Sequence, residues 1–188
     1  MELTDGTIKL SATDLVGFLN CHHLTAMDHA VAEGTLPKPK LWDPLLQVLS
    51  ERGAAHEQSY VEHLRQAGLD VVRIDGISVT QAAVAETRAA MQRGMPVIAQ
   101  AALMHRGWNG RADILRRVEV PSGLGPWSYE PIDTKLARET KAGTVLQLCV
   151  YADLLTEMQR TPPEYMYVVA PWSAFQPQQY RFADYAAY

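Results

Sequence analysis

The chain has 188 residues, 47% of them hydrophobic and 20% charged, with a formal charge of −4 and two cysteines. This length suits one domain, which buries about 70% of its unfolded surface, and no apolar run approaches the roughly 18 residues of a membrane span. A net negative chain does not grip nucleic acid by bulk charge, so a polyanion partner needs a local basic lining or bound metal ions, and two cysteines exclude a disulfide framework and make a reducing cytoplasm the expected home.

The opening MELTDGTIKL has no charged-then-apolar leader, so no export signal is expected. LSATDLVGFLNCHHLTAMDHAVAEG reads as a first helix, with Ser11 as N-cap and Asp14 three residues on, an acidic variant of the capping box; Leu15, Phe18, Leu19 and His22 share one face. GTLPKPKLWDP is a Pro-rich connection, and Asp43 followed by Pro44 marks a second N-cap with proline at the first helical position. Apolar residues at 45, 46, 49, 61 and 64 carry that helix to about residue 66, and Gly68 closes it.

Beyond it, LDVVRID reads as a short strand and TQAAVAETRAAMQRG as a small amphipathic helix. PVIAQAALMHRGWNGRADILRRVE reads as two strands joined by a turn around Trp108, Asn109 and Gly110, and WSYEPIDTKLA is the next strand. TKAGTVLQLCVYADLLTEMQR is a helix with Leu146, Val150, Leu154 and Leu155 on its apolar side, and PEYMYVVAPW is a buried strand. The tail FQPQQYRFADYAAY predicts one more strand and a helix from Ala183 that stops almost at once, as the front part of a longer chain would. Its Tyr180, Phe182, Tyr185 and Tyr188 are expected in the core or at an interface, with base stacking as the alternative. Helices, then consecutive strands, then helix and strand again predict an α/β fold with a central mixed sheet flanked by helices, without internal repeats.

Asp133 and Lys135 lie two apart on a strand, hence on one side of the sheet. Twenty residues earlier, Asp113 enters a neighbouring strand after the expected glycine turn, and pairing of the two strands brings Asp113 and Asp133 together. Close carboxylates repel unless a proton or cation sits between them, and hard oxygen ligands favour Mg2+ or Mn2+. His56, on the helix before the sheet, is the candidate third ligand and tilts preference toward Mn2+; Gly53 removes bulk one turn before it, and Glu57 points roughly 100° away around the helix. The bland alternatives are an incidental ion pair for Asp133 and Lys135, a turn role for Asp113, a surface histidine with Glu57 as the functional group, and helix surface for Cys21, His22 and His23, whose adjacency does not suit a zinc site.

In order and spacing, these residues resemble the RecB-like branch of the PD-(D/E)XK nucleases. GAAH (His56) is similar to its metal-binding histidine, GRAD (Asp113) to its glycine-to-aspartate motif, PIDTK (Asp133, Lys135) to its signature, and QLCVY (Gln147, Tyr151) to its Gln-x-x-x-Tyr helix; DLVGFLNCHHL resembles its N-terminal helix. The likeness runs from about residue 11 to about residue 172. It implies a single domain with a restriction-endonuclease-like core over 41–172, an N-terminal helical segment over 1–40, and a C-terminal strand and helix start over 173–188.

The resemblance further implies a metal held by His56, Asp113, Asp133 and the Thr134 backbone carbonyl, with Lys135 orienting the attacking water or stabilising developing charge. Gln147 and Tyr151 would bind substrate or steady Lys135. Arg106, Arg111, Arg116, Arg117, Arg138 and Lys141 would supply the basic lining, with Arg111 and Arg138 on substrate. Some members carry an iron–sulfur cluster on one N-terminal and three C-terminal cysteines. Cys21 matches the first, but no cysteine follows Cys149, which is expected in core packing, so no such cluster is expected within this chain. The implied activity is a metal-dependent deoxyribonuclease, an exonuclease on single-stranded ends or flaps in repair, recombination or CRISPR-type processing. Its implied partners are DNA and a helicase or other repair protein, in trans or as a C-terminal continuation, and no membrane. The alternatives are a non-catalytic DNA-binding scaffold and an enzyme of another phosphoester.

Overall fold

An unanticipated hairpin opens the chain, β1 (Glu2–Thr4) pairing antiparallel with β2 (Thr7–Ser11), so the segment 1–40 is not wholly helical. Ser11 then caps α1 (Ala12–Asn20), and the Asp14 carboxylate accepts its backbone N–H at 2.7 Å and its hydroxyl at 2.8 Å, as the acidic capping box predicts. The single helix expected here is broken in two. Cys21 is extended, and its sulfur accepts the Leu24 N–H at 3.4 Å to start α2 (His22–Ala32).

Asp43 caps α3 (Pro44–Gln66) by accepting the Leu45 N–H at 2.9 Å, with Pro44 in the first turn, and Gly68 at φ +85 follows its end. β3 (Val71–Arg73) and α4 (Gln81–Gln92), capped by Thr80, come next. β4 (Val97–His105) and β5 (Trp108–Val118) form a hairpin turning at Arg106 and Gly107, both left-handed at φ +46 and +81. Two left-handed residues match the strand twist of a two-residue turn. The turn therefore precedes the expected Trp108–Gly110, and Trp108 is the first residue of β5, opposite His105. β6 (Ser128–Thr134), α5 (Ala142–Gln159), β7 (Tyr165–Val169) and β8 (Gln178–Arg181) follow, with a 3-10 turn at Phe182–Asp184 in place of a helix from Ala183. The structure, a computed structural model, describes residues 1–4, 6–40 and 42–185; Tyr188 lies outside the described residues.

The strands make one mixed eight-stranded sheet, ordered β1-β2-β5-β6-β7-β8, with β4 on the other edge of β5 and β3 beyond β4. β5 shares one edge between two neighbours. β2 takes it at Trp108 and Asn109, and β6 takes it from Ile114 to Val118. Among the described residues no strand pairs with 110–113 on that edge, so the sheet forks there.

Helices cover both faces. Met91 of α4 and Leu148, Leu155 and Met158 of α5 pack with Ile98, Leu115 and Met166 of the sheet, and Tyr180, Phe182 and Tyr185 of the tail close on this larger core. Tyr60, Val61 and Leu64 of α3 pack on Ile114, Ile132 and Val169 on the opposite face. Only the second half of α3 is used this way, for Leu45, Leu46, Val48 and Leu49 are exposed. On α5, Leu154 and Leu155 are buried as expected, together with Val145, Leu148 and Tyr151, while Leu146 and Val150 are half-buried. No helix among the described residues is long and apolar enough to cross a membrane.

This asymmetry has a measurable consequence. Leu155→Ala, at a site with 0% exposure, is expected to lower unfolding free energy by about 2–5 kcal/mol, whereas Leu45→Ala, 62% exposed, changes it by less than about 0.5 kcal/mol. Urea denaturation of the two variants beside the parent measures the difference, and equal losses would contradict the packing of α3.

Candidate active site

The fork brings the sequence motifs together. Ile114 and Ile132 are the last paired residues of β5 and β6. Asp113 and Asp133 occupy the next position on each strand, where the ladder has ended. Asp133 is fully buried. Lys135, just past β6, places its Nζ 3.1 Å from Asp133 Oδ1 and 2.9 Å from Oδ2. From α5, Gln147 donates its amide to Asp133 Oδ1 at 3.2 Å and to the Tyr151 hydroxyl oxygen at 2.9 Å, as the four-residue spacing allows. Asp113 is held by Thr134, whose backbone N–H and hydroxyl both donate to Oδ2, at 2.8 and 2.7 Å.

These contacts leave a charge imbalance. Burial, then the Asp113 carboxylate, push the Asp133 carboxyl up to about 7, against the opposing pull of Lys135. Asp133 Oδ2 has no hydrogen-bond partner; Lys135 approaches it as a charge but without hydrogen-bond geometry. Burial and then Asp113 also raise the Glu57 carboxyl, against the Gln100 amide that donates to it at 2.8 Å. Burial and then Asp133 push the Tyr151 hydroxyl upward, so it stays protonated at neutral pH.

Other expected site residues stand differently. The buried His56 has Nε2 3.0 Å from the Val169 carbonyl oxygen, which also accepts the Lys135 N–H at 3.1 Å, and its ring stacks on Phe175 at 6.2 Å. The contact of His56 Nε2 is thus with Val169, and no hydrogen bond joins it to Asp113 or Asp133. Among the described residues no three His, Cys, Asp or Glu side chains gather closely enough to hold a metal ion. Thr134 is engaged through its N–H and hydroxyl, where its backbone carbonyl was expected to act.

Arg111, expected on substrate, is tied down by the protein: Nε donates to Gln100 at 3.2 Å, Nη1 to the Ser78 carbonyl at 3.1 Å, and Nη2 to the Ile74 and Asp75 carbonyls. Arg116 lies 4.6 Å over the Tyr167 ring, and Arg117 lies 4.7 Å over Trp127 while donating to the Gly94 carbonyl. Of the expected basic lining, Arg138 and Lys141 are exposed in the segment between β6 and α5, and Arg106 is exposed at the turn between β4 and β5. Cys21 is exposed between α1 and α2, beside His22, whose ring stacks on Phe18 at 4.3 Å. Cys149 is half-buried against the larger core, which pushes its thiol up to about 11.

Two roles were not read from the sequence. Gly110 lies in β5, not in a turn, and a Cβ there would stand 2.5 Å from Tyr151 Cε1, so the glycine of GRAD is the space the Tyr151 ring occupies. Gln100 is the one polar residue in the apolar run VIAQAALM, a visible signal, and its amide holds Glu57 and Arg111. Gly53 faces open space, so that side of α3 is free to be approached.

No protein-family model matches the chain, and no curated protein does. What the fold and site define is an α/β protein with two carboxylates and a lysine at the fork of a mixed sheet.

The raised Asp133 carboxyl fixes the sign of a pH dependence. The folded state keeps a proton that the unfolded chain, with an ordinary value of about 3.9, has already released. Its contribution to stability is full below about pH 4 and is lost as pH rises through about 7. Thermal melts without divalent ions at pH 5 and 8 are expected to show a loss for the parent that is smaller in Asp133→Asn; equal losses would remove Asp133 as the titrating group. Gly110→Ala is expected to cost about 1–3 kcal/mol by overpacking against Tyr151, with part recovered on adding Tyr151→Leu. Additive losses in the double variant would show that the two residues do not clash.

Proposed function

We propose that the chain is a divalent-cation-dependent nuclease domain with a restriction-endonuclease-like core of the RecB-like kind. One observation carries the reading: Asp133, fully buried beside Asp113 at the fork, has an oxygen without a hydrogen-bond donor and a lysine ammonium at 2.9 Å. Two carboxylates placed in this way call for positive charge, and their oxygens suit Mg2+ or Mn2+. Asp113 and Asp133 would hold the ion, with the Thr134 carbonyl beside them and Glu57 supplying further negative charge. His56 joins only by leaving Val169. When bound, the ion supplies an acidified water and a polarised phosphate.

The chain's own groups have separate tasks. Lys135, freed from Asp133, orients the attacking water and neutralises charge on the phosphate oxygens. Gln147 holds Asp133 by a hydrogen bond and Tyr151 holds Gln147 by accepting another, which gives both a positioning role beside the substrate contacts expected of them. Thr134 fixes Asp113. Arg138 and Lys141, exposed in the segment that follows Lys135, would meet the phosphates of a DNA strand, whereas Arg111 spends its donors on backbone carbonyls.

DNA as substrate, exonuclease action on single-stranded ends or flaps, a helicase or repair partner and a cytoplasmic setting follow from the resemblance. A second reading, a non-catalytic DNA-binding module, is favoured by one observation: Lys135 already pairs with Asp133 at 2.9 Å.

Cleavage of end-labelled single- and double-stranded DNA in Mn2+, Mg2+ or EDTA separates the two. The nuclease reading expects metal-dependent cutting that falls about 100-fold or more in Lys135→Ala and is abolished in Asp133→Ala. Binding without cutting supports the scaffold, and an Asp133→Ala variant as active as the parent would sink the site.

A further inference from the structure

Gln100 lies in the middle of β4 with φ +56, a left-handed conformation that costs a residue other than glycine free energy. The ladder with β5 keeps one register on both sides, Ala99 opposite Ile114 and Ala101 opposite Ala112, so nothing has been inserted. A single residue is turned, and the position facing it in that register is Asp113. Before the turn the strand alternates, Ile98 facing the core under α4 and α5 and Val97 and Ala99 the core under α3; after it Ala101 and Leu103 join the core of Ile98, so the pleat changes phase at Gln100. An extended Gln100 would point to the core of Ile98 by strand alternation. Turned, it instead meets α3, which covers the opposite face: Nε2 donates to Glu57 Oε2 at 2.8 Å, and Oε1 accepts from Arg111 Nε at 3.2 Å.

Arg111 is itself fixed by the carbonyls of Ile74, Asp75 and Ser78. A continuous set of bonds thus runs from the 74–78 loop through Arg111 and Gln100 to Glu57. The other partner of Glu57 is Arg73, at 3.5 Å and half-exposed. Without the Gln100 amide, a carboxylate repelled by Asp113 and Asp133 would swing toward Arg73 and solvent. A neutral amide suits this task better than a lysine or arginine, which would hold Glu57 but cancel the negative charge it brings.

We propose that Gln100 is a positioning residue for divalent-cation binding, its left-handed backbone and its bridge to Arg111 holding the Glu57 carboxylate beside Asp113 at the fork. This rests on the nuclease reading of the site.

Mn2+ titration by calorimetry, with thermal melting alongside, tests it on the full chain. Gln100→Gly relieves the left-handed backbone and removes the amide. Its melting temperature is expected to hold or rise, while Mn2+ affinity falls about tenfold or more, as for loss of an outer partner of a metal site. Gln100→Asn, which tolerates the same backbone but is one methylene short, is expected to lose affinity likewise and provides the measurement if the glycine variant folds poorly. In a Glu57→Gln background neither change is expected to lower affinity further. Parent-like affinity in both single variants, or an equal additional loss in the Glu57→Gln background, overturns the inference. A parent that binds no Mn2+ overturns the nuclease reading, and the inference with it.

Discussion

The structure turns on the burial of Asp133. A carboxylate with no exposure is costly unless charge and hydrogen bonds compensate it, and here a second carboxylate stands on the next strand. Lys135 supplies the charge, and Gln147 supplies a neutral donor. Both depend on β6 ending where it does. One pair more, and the ladder with β5 would take in Asp113 and Asp133; one residue more, and β6 would draw Lys135 into the sheet. The fork at 110–113 is therefore the architectural condition of the site, and β2, which takes the β5 edge again at Trp108, closes the sheet beyond it.

Each supporting element is shaped to that condition. α5 delivers Gln147 and Tyr151 to Asp133, and it can come close because Gly110 has no side chain where the Tyr151 ring lies. α3 delivers Glu57 from the other face, where the turned Gln100 meets it. Cations are divided in the same way. Arg111, Arg116 and Arg117 stabilise the scaffold through carbonyls and aromatic rings, which leaves Lys135 as the cation on the buried acid and Arg138 and Lys141 exposed nearby. Counting basic residues along the sequence overstates the basic lining, because a guanidinium that has satisfied its donors internally offers little to a phosphate.

Much of the fold is legible because local rules agree with tertiary packing. The Asp43 and Pro44 cap and the Ser11 and Asp14 box depend on near neighbours and appear as read, whereas the strand expected to run through Lys135 to Ala137 ends at Thr134, which leaves Lys135 just past it. The misreadings concern partners distant in sequence. Gly110 looked like a turn residue, but its reason lies 41 positions away, in Tyr151. The contacts of His56 with Val169 and Phe175 are likewise distant in sequence and were not foretold. The helix through Cys21 has unbroken apolar spacing, and nothing local foretells the extended residue that splits it. The two left-handed residues at Arg106 and Gly107 were hidden because the glycine one turn on, at 110, drew the hairpin toward itself.

The pairing of Lys135 with Asp133 also limits what the site does at once. The ammonium lies 2.9 Å from the oxygen that lacks a hydrogen-bond donor, on the ground a hard cation would take. Two positive charges do not share that space cheaply in a buried, low-dielectric setting. Under the nuclease reading, cation binding and release of Lys135 from Asp133 are therefore one event, and the lysine becomes free for the phosphate only once Asp133 has its new partner. Without a cation the same lysine limits the cost of a buried carboxylate. A single side chain would then serve stability in one state and chemistry in the other, which gives a physical reason for an acid and a base to stand two residues apart at the end of a strand.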